Sequence, residues 1–460
     1  MRSPETNTRT RAPVTPLFAK ELREVLGGRA LWIMLLLVCP LIGYGFFQAV
    51  SLYGESSVAA AQSPVLATSL SPFDGALVPT FGSLYIAVTL LFPFVAIRVI
   101  SHEKESGALR LLVQLPYRSP TLVIVKFAAV LCAWGLVCLP ALSALAIWTM
   151  LGGHLSPPET LNLLVGHLLY GSLIAAVALF AASIAESAAS AAIITLAVTI
   201  GSWVLDFTLA GRSGLAEWIA RLSLTQILRT FEQGLLSVAL VLGTGIAICG
   251  FAALASVWLP PGIPVRSKLI RSVALALAAL IAIGLVSHIR LSIDLTEDRR
   301  NSFSAADQRL LATLSAPLIV TVHLSPEDPR YVDVHRNVLA KLERAMPRVA
   351  IRLAGGRQSR APDAGDEAYG EIEYVYGDKS DKSRSTSPRE ILPLLYGLAG
   401  VAPPAPASGG EYPGYPLVAN EYVTLPWFFG VLPLLIALAW WQSRRPPSLD
   451  FVPAHEGVQS

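Results

Sequence analysis

The chain has 460 residues, of which 53% are hydrophobic and only 15% are charged. A soluble protein carries about 25% charged residues, and this chain has no Lys or Arg between Ala30 and Ile97 or between Phe127 and Gly211. These proportions exclude a water-soluble globule and predict a polytopic α-helical membrane protein. The net charge of +3, without a basic stripe, argues against nucleic acid as a partner.

Residues 16–26 are predicted to form an amphipathic helix on the membrane surface. Thr15 is the expected cap, and Pro16 suits the first helical position. Three apolar residues recur on one face of this helix at helical spacing: Phe18, Leu22 and Val25. The alternative is an ordinary basic flank before the first span.

Eight stretches are apolar enough to cross a membrane, because a helix crosses the hydrocarbon core in about 20 residues. In chain order these predicted spans are Leu31–Val50, Val78–Ile97, Thr121–Leu151, Leu161–Ile184, Ala188–Leu205, Leu235–Leu259, Val273–Val286 and Leu425–Trp441. The seventh is short, so Arg271 and Arg290 are expected to reach the two interfaces. Trp427 and Trp440-Trp441 are expected to form an aromatic belt around the eighth.

The distribution of Lys and Arg among the short loops predicts the orientation. The amino-terminal segment, the loops after the second and sixth spans and the tail carry these residues, whereas 51–77 and 152–160 have none. The loop 206–233 does not fit this distribution, because it should lie outside yet carries three arginines: Arg212, Arg221 and Arg229. The majority places both termini in the cytosol, on the inner side of the cytoplasmic membrane. Seven spans precede residues 292–423, so this segment is predicted to be extracytoplasmic.

The stretch 215–233 is predicted to form a broken amphipathic segment at the outer surface. One apolar stripe runs from Leu215 to Leu222 and a second from Leu224 to Phe231. The break between them favours two short helices joined by a turn over one continuous span. The alternative is a partly ordered loop.

Residues 292–423 are predicted to form a small α/β domain between the seventh and eighth spans. Three segments have strand patterns: Leu318–Leu324, Val349–Leu353 and Glu371–Tyr376. The amphipathic stretch Val332–Met346 predicts a helix between the first two strands, as in an α/β fold. Residues 377–389 are expected to be a polar loop, and 402–416 a Pro/Gly linker into the last span.

The chain lacks the motifs of several enzyme classes. It has neither a G-x-x-x-x-G-K-[ST] phosphate loop nor a G-x-S-x-G elbow, and His102-Glu103 lacks the second histidine of a zinc-protease motif. The four cysteines all lie in apolar stretches. No catalytic residue, cofactor or metal site is therefore predicted. Five ionisable residues in or near the spans are expected to be solvated at the interfaces: Lys126, His167, Glu186, Asp206 and His288.

The loop 101–116 after the second span is the most informative segment. Its charged start leads into a short helix that Pro116 terminates. Five of seven residues in that helix are apolar, which is too many for a free loop: Leu109, Leu111, Leu112, Val113 and Leu115. The residues alone leave two possibilities open, a connector that rests on the membrane and a helix that docks on another protein.

The pattern Glu103-Lys104-Glu105-x-Gly-x-Leu-x-x-Leu, followed by Pro116 and by a span with a lysine, resembles the cytosolic loop of type-2 ABC export permeases. Residues 17–259 are similar to that family in plan, with an amphipathic first helix, six spans and a broken segment between the fifth and sixth. The resemblance implies that a separate ATPase binds the loop and the first helix. It implies six coupling residues: Glu103, Lys104, Glu105, Gly107, Leu109 and Leu112.

These coupling residues carry specific expectations. The carboxylates of Glu103 and Glu105 are expected to be solvated in the isolated chain and to pair with the ATPase. Gly107 is expected to allow close backbone approach.

The segment after the seventh span resembles a second protein family. Asp294-Leu295-Thr296 and Ser302-Phe303-Ser304 are similar to the auxiliary subunit of gliding-motility-type ABC transporters. In that subunit one span leads into an extracytoplasmic α/β domain and another span closes the chain. The domain is much shorter here, so the resemblance implies a permease fused to a truncated auxiliary domain.

The predicted organisation therefore has six parts: a cytosolic segment (1–30), a six-helix permease core (31–259), a linker with the seventh span (260–291), the outer domain (292–423), the eighth span (424–442) and a cytosolic tail (443–460). The predicted function is the membrane-spanning permease subunit of an ABC export system. Its expected partners are a separate ABC ATPase, a second copy or another membrane subunit, and membrane lipid.

Two rival functions remain. One is a non-transporting scaffold for the outer domain. The other is a secondary transporter, which is weakened because no span is expected to carry a buried carboxylate or basic residue near its middle.

Overall fold

A computed structural model describes residues 13–209, 223–289, 291–325, 328–354, 369–404 and 412–444. Within these residues, eight helices are long and apolar enough to cross a membrane. They are Arg29–Ala60, Phe73–Glu105, Ser119–Met150, Pro157–Ile184, Ala188–Leu205, Val238–Trp258, Val265–Val286 and Glu421–Ser443. The predicted class, a polytopic helical membrane protein with eight spans, is confirmed.

Several span boundaries differ from the prediction, and the first span, for example, continues to Ala60 instead of ending at Val50. Three further differences bear on the site and on the sheet pairing. The second helix continues to Glu105, so the charged start of the 101–116 loop prolongs the span as a helix. The sixth helix starts at Val238, because Leu235–Ser237 is a strand. The seventh helix starts at Val265 and thus includes the basic residues that were expected to precede it.

The first four spans form most of the hydrophobic core of the bundle. The fourth lies at its centre, and every residue from Tyr170 to Leu179 is buried. The eighth span packs closely on the first, because Phe428 lies over Gly43, where a Cβ would be 2.3 Å from the Phe428 Cβ. The side chains of the seventh span are largely exposed, as expected of a helix that faces lipid.

The tryptophans of the eighth span do not all belong to an aromatic belt. The Trp427 indole donates a hydrogen bond to Ser143 Oγ at 3.0 Å, so Trp427 fastens the eighth span to the third. Trp441, at the other end, is exposed.

Two ionisable residues contradict the expectation of solvation at the interfaces. Lys126 is 1% exposed, and its ion pairs are described below. His167 is 2% exposed and packs against the ring of Phe81, with centroids 5.1 Å apart. Both face neighbouring helices within the bundle, which hydropathy along one helix does not reveal. Of the other three, two are exposed and one side chain lies outside the described residues: Glu186, His288 and Asp206, respectively.

Six short elements flank the spans: α1 (Val14–Gly27), an unlabelled single-turn helix (Pro64–Ala67), α2 (Ala108–Gln114), α3 (Leu224–Glu232), β1 (Leu235–Ser237) and β2 (Ser292–Asp294). The strands β1 and β2 pair antiparallel, which joins the start of the sixth span to the segment after the seventh. α3 corresponds to the second predicted amphipathic stripe. The first stripe, from Leu215 to Leu222, lies outside the described residues.

The remaining elements form a compact unit, which we call the sheet domain. Its elements are α4 (Ala305–Thr313), β3 (Leu318–Val322), α5 (Pro329–Val334, continued by His335–Leu339 and Ala340–Ala345), β4 (Val349–Leu353), β5 (Ile372–Tyr376), β6 (Lys379–Ser383) and α6 (Pro388–Ala399). The strand order is β4-β3-β5-β6, and only β3 and β4 are parallel.

The predicted α/β character of this domain is confirmed. The helix α5 connects the parallel strands β3 and β4, as predicted, and the domain has its own hydrophobic core. The expected polar loop 377–389 is wrong, because β6 forms a hairpin with β5 across a turn at Gly377, whose φ is 60°.

A polar junction fastens the sheet domain and the last linker to the spans. The backbone N–H of Glu297 donates to Glu159 Oε1 at 2.9 Å, and Arg300 Nη2 lies 3.7 Å from the same oxygen. The ring of Tyr415 stacks on His154 with centroids 3.7 Å apart, and both side chains contact the Glu297 carboxylate. The end of the predicted Pro/Gly linker is therefore docked on the bundle.

Candidate functional site on the α1 side of the membrane

The start of α1 differs from the prediction. The helix begins at Val14, it is preceded by Pro13, and no side chain caps its first turn. The roles predicted for Thr15 and Pro16 are therefore wrong.

The face of α1 that enters the protein carries Leu17, Glu21 and Val25. These residues recur every four positions and so share one side of the helix. Of the predicted apolar stripe, Val25 is buried, whereas Phe18 and Leu22 are partly buried. A glutamate on a buried face needs a partner, because an unpaired buried charge is costly.

Glu21 belongs to an ion network in which Glu21, Glu103 and Lys126 are buried. Its fourth member, Lys20, is 39% exposed and also pairs with Glu24 at 3.2 Å. Lys126 Nζ lies 2.8 Å from Glu21 Oε2 and 2.7 Å from Glu103 Oε2. Lys20 Nζ donates to Glu103 Oε1 at 2.7 Å and lies 3.3 Å from Glu21 Oε1. The network joins α1, the end of the second span and the start of the third. Glu103 is 2% exposed, so the expectation that it is solvated is wrong.

The electrostatics of the network explain how so many charges are buried together. The buried ammonium group of Lys126 lies between the carboxylates of Glu21 and Glu103, and Lys20 compensates the second negative charge from the partly exposed edge of the network. Burial lowers the pKa of Lys20, but its hydrogen bond to Glu103 and the charges of Glu21 and Glu103 outweigh burial and raise the pKa above its usual range. Burial raises the pKa of Glu21, and the charge of Lys126 opposes this shift.

The carboxylates of this region also have the spacing of a metal site. One oxygen each from Glu21, Glu24 and Glu103 lies within 4.8 Å of the others. The ammonium groups of Lys20 and Lys126 already supply the positive charge that a metal ion would bring. The donor set therefore fits an ion network better than a metal site.

The second span and α2 form a helical hairpin at Gly107. The backbone of Gly107 is left-handed, with a φ of 76°, which glycine adopts most readily. No atom lies within 4 Å of the position of a Cβ there, so the chain itself leaves this backbone open, and the close approach of a partner stays a prediction. Leu109 and Leu112 are 7% and 8% exposed and pack into the core of the bundle. They fix the inner side of α2.

Lys104 ties this hairpin to the fourth span. Its Nζ donates to three backbone carbonyls at 2.7, 2.7 and 2.9 Å, those of Ala182, Ser183 and Ala185. They lie at the carboxyl end of the fourth helix, where carbonyls lack partners within the helix and carry partial negative charge. Lys104 is therefore occupied within the chain.

The outer side of α2 differs from its inner side. Leu111 and Leu115 are 68% and 48% exposed, and Glu105 beside the turn is also exposed. Tyr117, after α2, donates to the carbonyl of Pro13 at 2.9 Å and so fastens the hairpin to the start of α1. An exposed apolar face on a fixed helix is a surface on which another protein can dock.

The structure brings the predicted coupling residues together but divides them by role. Glu103, Lys104, Leu109 and Leu112 hold the hairpin in place, and Glu105 is on the surface. Sequence reasoning missed the buried Glu21, the exposure of Leu111 on the outer side of α2, and the ion pairs of Lys126. The sequence does contain a sign of this network. Lys126 is a lone lysine inside an apolar span, and Glu21 lies one helical turn from each of two apolar residues, Leu17 and Val25, on the same face of the helix.

Eight candidate spans, a surface helix fastened to the bundle and a fixed helical hairpin define a polytopic membrane protein. Residues 15–287 match the family described as ABC-2 family transporter protein. The match covers more than half of the chain, and the chain belongs to this family. No curated protein matches it.

Membership in this family gives the chain its general function. The chain is a membrane permease component of an ABC system and not itself a nucleotide-binding enzyme; such permeases typically work with an ATPase subunit. The match extends through the seventh span, further than the predicted 17–259, and leaves out the sheet domain. The buried His167, which lies within the fourth span, removes the sequence argument against a secondary transporter, so the assignment rests on the family.

Proposed function

We propose that the chain is the permease subunit of an ATP-driven exporter and that a separate ATPase docks on α2 and α1. The observation that carries the proposal is the ion network of Lys20, Glu21, Glu103 and Lys126. It makes α1, the hairpin and the third span one unit, and Lys104 adds the fourth. A push on the exposed face of α2 is then transmitted to the second, third and fourth spans together.

We further propose that the α1 side faces the cytosol of a bacterial cell across its inner membrane. The Lys and Arg residues of the short loops support this orientation. The first six spans have the plan of half of a full exporter, so a second copy or another membrane subunit completes the transport path.

The sheet domain is proposed to be a truncated auxiliary domain of the gliding-motility type. The resemblance rests on two short motifs, Asp294-Leu295-Thr296 and Ser302-Phe303-Ser304, and hydrogen bonds join them into one turn. Asp294 Oδ1 accepts from the N–H of Thr296 at 3.1 Å, and its other oxygen accepts from the Ser302 hydroxyl. Ser304 caps α4 through the N–H of Asp307.

The docking proposal is tested on the exposed face of α2. The double variant Leu111→Asp, Leu115→Asp should reach the membrane at normal levels, because neither side chain is buried in the chain. We expect it to lose more than tenfold in ATPase binding, since apolar contacts at the centre of an interface are worth about 2 kcal/mol or more. The measurement is copurification of a P-loop ATPase in mild detergent, followed by its affinity.

Two comparisons make this experiment decisive. Val332→Asp changes an equally exposed apolar residue in the sheet domain and should leave the ATPase bound. Charge reversal at Glu103 is unsuitable, because a third ammonium group beside Lys20 and Lys126 would disrupt the chain itself. If the double variant binds the ATPase as the wild type does, or if the wild type binds none, the docking proposal is wrong.

A further inference from the structure

A cavity of about 960 Å³ opens where the sheet domain meets the sixth and seventh spans. Pockets that hold small ligands measure roughly 300–1,000 Å³. The cavity lies at the end of the seventh span, with β1 and β2 beside it and α5 above it. Its position is thus the boundary between the hydrocarbon core and the water on the sheet-domain side.

One part of the cavity wall is apolar and open to the membrane. Leu240 of the sixth span and Ile281 and Leu285 of the seventh form it. Ile281 and Leu285 are 64% and 68% exposed. Gly284 lies between them, and a Cβ there would meet no atom within 4 Å. A chain in the bilayer therefore has free lateral access to this wall.

The other part of the wall is polar and charged. It carries the Ser287 hydroxyl, the His288 ring and, from α5, the charges of Glu343 and Arg344. Arg344 Nη2 donates to the carbonyl of Asn301 at 2.6 Å, which uses one of the five N–H groups of a guanidinium. Among the residues that the structure describes, Arg344 has no carboxylate within ion-pair distance.

We propose that this cavity binds a glycerophospholipid with a zwitterionic amino headgroup. The phosphate lies on the Arg344 guanidinium, whose fork matches phosphate oxygens. The ammonium group faces Glu343, and an acyl chain lies along Ile281 and Leu285. Apolar and charged walls meet in the order in which a phospholipid presents its chains and headgroup. The inference does not depend on ATPase coupling, which acts on the opposite side.

The test uses full-length protein in phosphatidylglycerol vesicles, whose headgroup lacks an amino group, with a small fraction of phosphatidylethanolamine that carries a photoreactive acyl chain. After irradiation, the adducts are mapped on peptides by mass spectrometry. In the wild type we expect adducts to concentrate at residues 281–289. Gly284→Leu places a side chain on the apolar wall, where the acyl chain would lie, and Gly243→Leu is its control, since Gly243 also has open space but does not line the cavity. Arg344→Gln removes the phosphate contact, and Arg348→Gln is its control.

We expect Arg344→Gln to reduce labelling about tenfold, because it removes one charge-assisted contact. Gly284→Leu should reduce labelling by a similar factor, because it obstructs the acyl chain, and both controls should label as the wild type does. Adducts spread evenly over all spans, or undiminished in both variants, would show annular lipid only and overturn the proposal. Equal labelling by a phosphatidylglycerol probe would overturn the amino headgroup. Loss of labelling with excess glycerophosphoethanolamine would assign the site to a soluble headgroup instead of a lipid.

Discussion

At the scale of single residues, the sequence reveals which charges are unusual but not where they point. Lys126 stands out as one lysine in an apolar span, yet its partners lie far away in the sequence, at Glu21 and Glu103. A lysine solvated at the interface and a lysine paired within the bundle have the same sequence pattern around them. The turn at Asp294 is the opposite case, since its partners lie within eight residues and the motif itself carries the geometry.

The ion network predicts a large and specific loss of stability. Lys126→Met should leave Glu21 and Glu103 buried together with only Lys20 as a partner, at a cost of about 3–5 kcal/mol. Thermal unfolding in detergent should therefore begin at a clearly lower temperature. Adding Glu21→Gln should recover part of the loss, because one carboxylate then faces one lysine. Lys382→Met, at an exposed ion pair, should change little; equal effects of the two lysine changes would contradict the network.

At the scale of elements, the spans follow from hydropathy, and their ends follow from local contacts. The strand β1 was missed because Leu235–Ser237 reads as the start of an apolar span, and its partner β2 comes after two further helices. The helix α2 was predicted, but with five apolar residues among seven its sequence does not say which side is buried. The packing of Leu109 and Leu112 decides this, and leaves Leu111 outside.

The hairpin before α2 predicts a backbone effect without a packing effect. Gly107→Ala places a Cβ in open space at a φ of 76°, so the expected cost is about 1–2 kcal/mol from the left-handed conformation alone. The variant should unfold at a lower temperature in detergent. Gly27→Ala, in the last turn of α1 with equally open space, is the control and should be neutral or slightly stabilising. A stable Gly107→Ala would show that the turn adopts another conformation.

At the scale of the molecule, the odd number of candidate spans between α1 and the sheet domain predicts that they lie on opposite sides of the membrane. In a variant without the four native cysteines, a cysteine at Ser380 should react with an impermeant thiol reagent in intact spheroplasts. A cysteine at Ser106 should react only after the membrane is opened. Both positions are exposed, so access to water within the fold is not limiting. Inverted labelling would reverse the proposed orientation, and labelling of both would contradict the span count.

The sheet domain has its own hydrophobic core, but this core starts after residue 292, where the sequence predicts the domain to begin. A fragment from Leu291 carries β2 without β1, its partner in the permease, and thus exposes an unpaired strand edge. The core begins at Phe303 and extends to Val401, so a fragment of residues 301–401 should be soluble and show mixed helix and strand by circular dichroism. The fragment from 291 should be more prone to aggregate, which size-exclusion chromatography measures. If both fragments are random coil, the domain needs its junction with Glu159 and His154 in order to fold.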